Sequence, residues 1–120
     1  MNTNISLSHR KQEPESSVLY LVGTPIGNLD DISARALNIL KNVSMIACED
    51  TRKTSKLLNH FNISNILISF HKYSSSKKSE FLIEKLLDGS SIALVSDAGM
   101  PLISDPGELL VKEVKKKDID

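Results

Sequence analysis

From residue 18 onward, short apolar runs alternate along the chain with longer amphipathic stretches. Four apolar runs, rich in aliphatic and β-branched residues, predict strands at residues 18–22, 45–48, 66–69 and 92–95. The first of these runs is uninterrupted by polar residues, which is typical of a strand covered on both faces of a sheet. The pattern therefore predicts an α/β fold with an open, mainly parallel sheet, helices on both faces and about four βα units.

Two amphipathic stretches predict the first two crossover helices. The first helix is expected to begin near Asp30 or Asp31, because a carboxylate there can accept hydrogen bonds from the free N–H groups of a first turn. The second is expected to begin at Asp50 or Thr51 and to continue through Leu58. The apolar positions of the first helix lie on one stripe, which predicts its buried face: Ile32, Ala36, Leu37, Ile39, Leu40 and Val43.

Two further helices are predicted in the second half of the chain. Residues 76–88 form a helical stretch followed by Gly89, which suits the left-handed conformation that stops a helix. A last helix is expected from Asp105 and Pro106 to about Lys117, since proline is favoured at a first helical position and lysine at a helix C-terminus. The residues expected inward or at the margins of the third helix are Phe81, Ile83, Leu86 and Leu87.

The same rhythm divides the chain into a polar segment and one domain. Residues 1–17 lack the apolar stretch of a secretory signal and are expected to form a flexible N-terminal tail. Residues 18–120 are expected to form one α/β domain of ordinary size. A fifth strand is due at residues 118–120, where the sequence ends. Two interpretations follow: the chain is the N-terminal part of a longer protein, truncated before a second domain, or a fifth strand is not made.

Composition narrows the classes of function. With 15 Lys and Arg against 15 Asp and Glu, the formal net charge is zero, which excludes a protein that binds nucleic acid mainly by bulk charge. No apolar run approaches the roughly 20 residues of a membrane-spanning helix. The single cysteine, Cys48, allows no internal disulfide or metal cluster and is expected to be a small core residue. The expected location is the cytoplasm, and no membrane, DNA or metal is an expected partner.

Ligands of an open parallel sheet bind beyond the carboxyl ends of its strands, where unusual residues gather in this sequence. The loop at 23–30 has glycines four positions apart and lacks a dinucleotide or phosphate-loop pattern; a tight turn and a binding loop both remain open. The loop at 96–107 is fixed by prolines and glycines, which suits either a binding loop for a small polar ligand or an ordinary connection. Glu49, Asp50 and Arg52 fit either a helix cap with a surface ion pair or a substrate contact in which Arg52 grips phosphate.

Three segments resemble one family, and the resemblance covers essentially all of residues 18–120. Their sequences are LYLVGTPIGNLDDISARAL at 19–37, ACEDTRKTSKLL at 47–58 and ALVSDAGMPLISDPG at 93–107. Together they are similar to the N-terminal domain of the small-subunit ribosomal RNA methyltransferase I family, within the tetrapyrrole methylase superfamily. Three long motifs in the right order make the resemblance specific.

The resemblance implies transfer of a methyl group from S-adenosylmethionine to the 2′-oxygen of a cytidine ribose in small-subunit (16S) rRNA. It also implies a second α/β domain after this one, with the methyl donor in the cleft between the two. The implied partners are small-subunit rRNA or the ribosomal particle and a second copy in a homodimer. By itself the 120-residue chain is expected to be inactive, because half of the active site would be missing.

The resemblance further implies which residues contact the donor and the RNA. The segment formed by Glu49, Asp50, Thr51 and Arg52 would lie on the RNA-facing side. The candidates for accepting the ribose hydroxyl proton are Asp97, Asp50 and Glu49, with Asp97 expected to be mainly structural or in contact with the donor. The residues expected to bind the donor are Pro25, Ser96, Asp97, Ala98, Gly99, Pro101, Leu102 and Ile103.

Two departures from the family pattern affect these expectations. Met100 stands where family members usually have Thr, so a hydroxyl contact there is lost. Ser74 and Ser75 stand where the family typically has Asn and Glu, which weakens the case for a carboxylate base in that loop. Two alternatives stay open: a methyltransferase that acts on a tetrapyrrole, which shares the architecture, and a non-catalytic binding domain.

Overall fold

The computed structural model describes residues 13–25, 27–70, 76–96 and 115–119. Its strands are β1 Val18–Gly23, β2 Met45–Cys48, β3 Leu67–Ser69, β4 Ile92–Ser96 and β5 Lys115–Ile119. They form one sheet in the order β3-β2-β4-β1-β5, and every pair of neighbours is parallel. The prediction of an α/β fold with an open parallel sheet is confirmed.

Helices cover both faces of this sheet, as predicted. They are α1 Ala34–Asn42, α2 Thr51–His60 and α3 Ser76–Leu87. Alternate strand residues point to opposite faces, so Tyr20 joins the core beneath α1 and α2, whereas Leu21 joins the core beneath α3. Among the described residues, no helix has the length and apolar character that a membrane crossing requires.

The first helix begins later than the sequence indicates. Asp30 and Asp31 lie in a short 3-10 turn, Leu29–Asp31, and Ile32 after it is extended. The N-cap of α1 is Ser33, whose hydroxyl accepts a hydrogen bond from the N–H of Ala36 at 3.0 Å. Serine caps a helix as well as aspartate does, so the two carboxylates mark a separate turn and the predicted start near Asp30 or Asp31 is wrong.

The buried face of α3 also differs from the predicted set. Leu82 and Leu86 are fully buried, whereas Phe81 is 40% exposed and Leu87 is 70% exposed. Residues four apart lie on one helix face, so burial of the first pair turns Leu87 toward solvent. Gly89 has a φ of +106° after the end of α3, which confirms the predicted left-handed stop.

The predicted last helix does not extend to Lys117. Lys115–Ile119 is a strand paired with β1, and the three lysines taken for a helix C-terminus are its first residues. Backbone pairing with a buried strand overrides the low strand propensity of lysine, and Ile119 completes the core at 2% exposure. A fifth strand is therefore made. The rest of the predicted helix, from residue 105 to 114, lies outside the described residues.

The segment just before β1 contacts the domain beside β5. Its residues were expected to belong to a flexible tail, and these contacts were not predicted. Arg35 donates two hydrogen bonds to the Glu13 carboxylate, at 2.9 and 2.8 Å, and these lower the pKa of Glu13. The N–H of Glu15 donates to the Tyr20 hydroxyl at 2.7 Å, while burial raises the pKa of Tyr20. Lys117 donates to the Glu15 carboxylate, which raises the pKa of Lys117, and its Nζ lies 3.8 Å from a Glu13 oxygen. Residues 1–12 of the expected tail lie outside the described residues.

Candidate functional site

A cavity of about 450 Å³ opens at the carboxyl ends of β1, β2 and β4, the edge at which the sequence predicts ligand binding. This volume lies within the range of about 300–1,000 Å³ that small-molecule sites occupy. The loop after β1 forms one wall and the beginning of α2 forms the other. The lining residues are Thr24, Pro25, Gly27, Leu29, Glu49, Asp50, Lys53, Thr54, Leu57 and Val95.

Hydrogen bonds to β4 hold the loop after β1 in place. The backbone carbonyl of Ser96 accepts two hydrogen bonds from Thr24, one from its N–H at 3.2 Å and one from its hydroxyl at 3.4 Å. Gly27 has a φ of +93°, a conformation that favours a residue without a Cβ atom. Leu29 then packs against the core beneath α1 and α2. The loop is thus a tight turn, one of the two interpretations that the sequence left open, and it forms a wall of the cavity. Its role as a binding loop stays a prediction.

The start of α2 forms the opposite wall. Asp50 is its N-cap, as one of the sequence alternatives predicts, and its Oδ1 accepts hydrogen bonds from the N–H groups of Arg52 at 2.9 Å and Lys53 at 3.4 Å. Asp50 therefore has a structural role at the edge of the cavity. Glu49, directly before it, lines the same cavity and is partly buried.

Thr54 and Leu57 close the cavity toward the sheet. Thr54 is 5% exposed, and its side chain hydrogen-bonds to Cys48 at the end of β2. Burial raises the pKa of the Cys48 thiol, which is 1% exposed. A buried thiol with a raised pKa stays protonated and unreactive, so the prediction that Cys48 is a small core residue is confirmed.

An exposed pair connects the two walls outside the cavity. Nε2 of His60, at the end of α2, lies 2.9 Å from Oδ1 of Asp30, in the turn that follows the loop. The His60 ring meets the edge of Phe61, with 4.7 Å between ring centroids. This exposed contact joins the turn after the β1 loop to the helix that carries Lys53.

The cavity combines charges of both signs with apolar surface. Glu49 and Asp50 bring carboxylates, Lys53 brings an ammonium group, and Leu57 and Val95 bring aliphatic side chains. Such a lining suits a ligand that has an apolar body and polar groups at its ends. Within the described part of the chain, no three His, Cys, Asp or Glu side chains are grouped so that they could hold a metal ion.

Three of the predicted site residues, Pro25, Glu49 and Asp50, lie in the cavity wall. Thr51 and Arg52 begin α2 beside the cavity without lining it, and Arg52 is exposed. The structure thus brings one predicted donor residue and two predicted RNA-facing residues to the same space.

The loop after β4 carries most of the other predicted site residues. Ser96, at the end of β4, is 5% exposed and supplies the carbonyl that holds Thr24. The remaining predicted donor residues lie outside the described residues, and so do the positions of the two departures: Asp97, Ala98, Gly99, Pro101, Leu102, Ile103, Met100, Ser74 and Ser75. Their roles stay predictions.

Several cavity residues were not singled out from the sequence, and those on α2 have a recognisable spacing. Lys53, Thr54 and Leu57 follow the Asp50 cap by three, four and seven residues, which places them on one side of a helix. The cap and the helical period together could therefore have indicated these three. Val95 could not have been found in this way, because its place in the wall depends on the pairing of β4 between β1 and β2.

Proteins with similar sequences share one name. A protein of Mycoplasmopsis pulmonis named Ribosomal RNA small subunit methyltransferase I is 56% identical over 102 residues, which are 85% of this chain and 46% of that protein. A protein of the same name from Halalkalibacterium halodurans is 52% identical over 88% of this chain and 37% of its own length. Another from Vibrio cholerae is 56% identical over 85% of this chain and 35% of its own length. The chain spans less than half the length of these relatives.

Residues 18–120 match the family of Tetrapyrrole (Corrin/Porphyrin) Methylases. This range includes the whole described sheet, its three helices and every residue that lines the cavity. The chain therefore belongs to the tetrapyrrole methylase family.

Proposed function

We propose that this chain forms the donor-binding and RNA-facing part of an S-adenosylmethionine-dependent methyltransferase that modifies the 2′-oxygen of a cytidine ribose in small-subunit rRNA. The shared name of the relatives, each more than half identical to the chain over most of its length, supports rRNA as the substrate class. Because the chain spans less than half of each relative, a second domain completes the active site in this proposal.

The observation that carries this proposal is the position of the cavity. Two of the three family-like segments, around Pro25 and around Asp50, form its opposite walls at the carboxyl edge of the sheet. Its volume of about 450 Å³ and its mixture of aliphatic and charged side chains fit a ligand with a purine and a charged methionine arm. The proposed donor-binding residues are Pro25, Ser96, Asp97, Ala98, Gly99, Pro101, Leu102 and Ile103.

When bound, S-adenosylmethionine supplies an electrophilic methyl group on a sulfonium sulfur. The residues of the chain then have two tasks, to hold the ribose hydroxyl in line with that methyl group and to accept the hydroxyl proton. Glu49 suits the second task better than Asp50, because an oxygen of Asp50 already accepts the hydrogen bonds of the α2 cap. Asp97 is the third candidate. Thr51 and Arg52, which begin α2 beside the cavity, face the RNA in this proposal.

The proposed setting rests on the family resemblance. The protein acts in the cytoplasm on small-subunit rRNA or on the ribosomal particle, as a homodimer, and no metal takes part. The described walls of the cavity come from the β1 loop, the start of α2 and Val95 of β4, and in this proposal the second domain adds residues to the same cavity.

Labelled S-adenosylmethionine tests the proposal. Small-subunit particles are incubated with the 120-residue chain and, separately, with a longer protein that contains it. We expect label on the ribose oxygen of a cytidine with the longer protein and no label with the short chain. Label transferred by the short chain would overturn the two-domain site, and an unlabelled rRNA with the longer protein would overturn the substrate.

A single substitution in the longer protein tests the role of Asp97. In the longer protein, Asp97→Asn is expected to weaken donor binding, which equilibrium dialysis measures. If donor affinity were unchanged and turnover were lost, Asp97 would instead be the proton acceptor.

One second candidate is favoured by the family description, which names corrin and porphyrin methylases. In that case the cavity would bind the same donor, and the acceptor would be a tetrapyrrole. To distinguish the two candidate functions, the longer protein is incubated with labelled donor and either rRNA or a tetrapyrrole. Label in the tetrapyrrole alone would favour this second function.

A further inference from the structure

We propose that the outer face of α2 binds the phosphate backbone of the RNA next to the cavity. Three cationic side chains form this face, Arg52, Lys53 and Lys56, and together they are called the α2 ridge. This inference rests on the proposed rRNA methyltransferase function. It adds the surface that holds the RNA and the type of contact that this surface makes.

Helical geometry places Arg52 and Lys56 of the α2 ridge on the side of the helix that faces away from the sheet. Leu57 and Leu58 are 2% and 3% exposed and mark the inner side of α2. With 3.6 residues per turn, Arg52 and Lys56 lie one turn apart on the other side, and both are exposed. Lys53 lies on the flank between these two sides and lines the cavity. The ridge therefore forms a cationic track that ends at the cavity.

The position of these cations opposes the stability of the helix. The N-terminal end of a helix is its positive end and disfavours cations, yet Arg52 and Lys53 both lie in the first turn of α2. Arg52 and Lys56 are four residues apart, a spacing at which like charges repel. The helix contains no Asp or Glu. A bound polyanion would relieve both kinds of repulsion, so the arrangement favours binding.

Two members of the ridge, Arg52 and Lys56, differ from other described cations in their ion pairing. Within the described residues, neither Arg52 nor Lys56 forms an ion pair, whereas Arg35 and Lys117 both pair with glutamates. The net charge of zero therefore conceals a local positive excess on α2. Glu49 and Asp50 precede this excess and line the cavity, so they do not interrupt the track between Arg52 and Lys56.

The side chains of the ridge fit phosphate groups better than bases. The chain has two Tyr, three Phe and no Trp, and the sequence of α2 contains none of them. Recognition of single-stranded bases relies on aromatic stacking, whereas cations contact the backbone of any sequence. We therefore expect the ridge to hold RNA without sequence preference, next to a cavity that receives the reacting nucleotide.

The salt dependence of RNA binding tests this proposal. Fluorescence anisotropy measures the binding of a labelled single-stranded oligoribonucleotide to the full chain between about 50 and 200 mM salt. Each phosphate contact contributes about 0.7 to the slope of log K against log salt concentration, so Arg52→Gln, Lys53→Gln and Lys56→Gln together should reduce the slope by about 2. The affinity advantage of the wild type over this triple variant should then shrink roughly twentyfold across the salt range.

A matched variant removes the same charge from the opposite face of the sheet. Lys77→Gln, Lys78→Gln and Lys85→Gln on α3 are expected to leave the slope within about 0.7 of the wild-type value, the contribution of one contact. Melting temperatures of both variants report whether each of them is folded. Equal slopes in the two variants, or a wild type that does not bind RNA, would overturn the proposal.

A second measurement separates this proposal from the proposed function. Donor binding and methyl transfer are measured with the longer protein and labelled S-adenosylmethionine, with and without the ridge substitutions. Methyl transfer to rRNA together with an unchanged salt slope would support the function and overturn the ridge. A ridge-dependent slope in a protein that methylates no rRNA would support the ridge and overturn the function.

Discussion

Replacement of Asp50 by Ala is expected to destabilise the domain by about 1 kcal/mol, because it removes the N-cap of α2. Oδ1 of Asp50 accepts one hydrogen bond of ordinary length, from Arg52 N–H at 2.9 Å, and a longer one from Lys53 N–H at 3.4 Å. Only the hydrogen bond from Arg52 N–H has an ordinary length, so the expected loss of stability corresponds to one capping hydrogen bond. With an unfolding entropy of about 2.1 cal/mol/K per residue, the Tm of the chain falls by about 4 °C.

Asp50→Asn is the matched variant, since it preserves the capping oxygen and removes the charge. Asn is as good an N-cap as Asp, so this variant should lose only the attraction between the carboxylate and the helix dipole, about 0.3 kcal/mol at a surface position and less than Asp50→Ala loses. Urea unfolding followed by circular dichroism measures the midpoint of each variant. We expect the highest midpoint for the wild type, then Asp50→Asn, then Asp50→Ala. A wild-type midpoint in Asp50→Ala would refute the cap.

A comparison of Asp50→Asn with Glu49→Gln shows whether Asp50 acts as a helix cap or as the proton acceptor. Both substitutions replace a carboxylate of the cavity with an amide that accepts no proton in turnover. Because Asp50 is engaged in the cap, methyl transfer by the longer protein should fall further in Glu49→Gln than in Asp50→Asn. The reverse order, with α2 intact, would make Asp50 the better candidate for the proton acceptor.

Three other predictions concern stability. Glu13→Gln should lower the free energy of unfolding by about 1 kcal/mol near neutral pH, because it weakens the pair with Arg35. Folding lowers the pKa of Glu13, so the stabilisation by this pair is complete above the ordinary pKa of 4.5. It is lost as pH falls through the lowered pKa. Unfolding curves of both proteins should therefore converge in acid, and a constant difference would contradict the pairing. Leu82→Ala should lower the free energy of unfolding by about 2–5 kcal/mol, whereas replacement of the exposed Phe81 by Ala should lower it by at most about 1 kcal/mol. Equal urea midpoints in these two variants would contradict the assigned buried face of α3. Gly89→Ala should lower the free energy of unfolding by about 1–2 kcal/mol through its φ of +106°, and an unchanged Tm would argue against that conformation.

The sequence predicts the central part of the sheet well for a physical reason. In β1, β2 and β4 both faces are buried, so their apolar runs are uninterrupted, and the strands observed there match the predicted ones to within one residue at either end. The edge strand β5 has no apolar run, and the βα rhythm indicates a fifth strand only at residues 118–120, three residues after β5 begins. Its first residues are lysines, and its strand conformation depends on pairing with β1, which no local pattern reveals.

The candidate site was predictable in its location and only partly in its members. Glu49 and Asp50 stand where β2 ends and α2 begins, which the hydrophobic pattern indicates, whereas Pro25 was named as a site residue through the family resemblance. The start of α1 was missed because Ser33 and Asp30 are both good caps, and local sequence does not decide between a short turn and a helix.

A net charge of zero says little about where the charges of this chain act. Ion pairs beside β5 use Glu13 and Glu15 to neutralise Lys117 and Arg35, so those charges stabilise the fold. Among the described residues, Arg52 and Lys56 of the α2 ridge form no ion pair, and the repulsion between them makes the folded helix slightly less stable. Added salt screens the attraction in one group and the repulsion in the other. RNA affinity should therefore fall steeply between about 50 and 200 mM salt while the melting temperature hardly changes. A parallel fall of both quantities would mean that the ridge acts through stability and not through contact with phosphate.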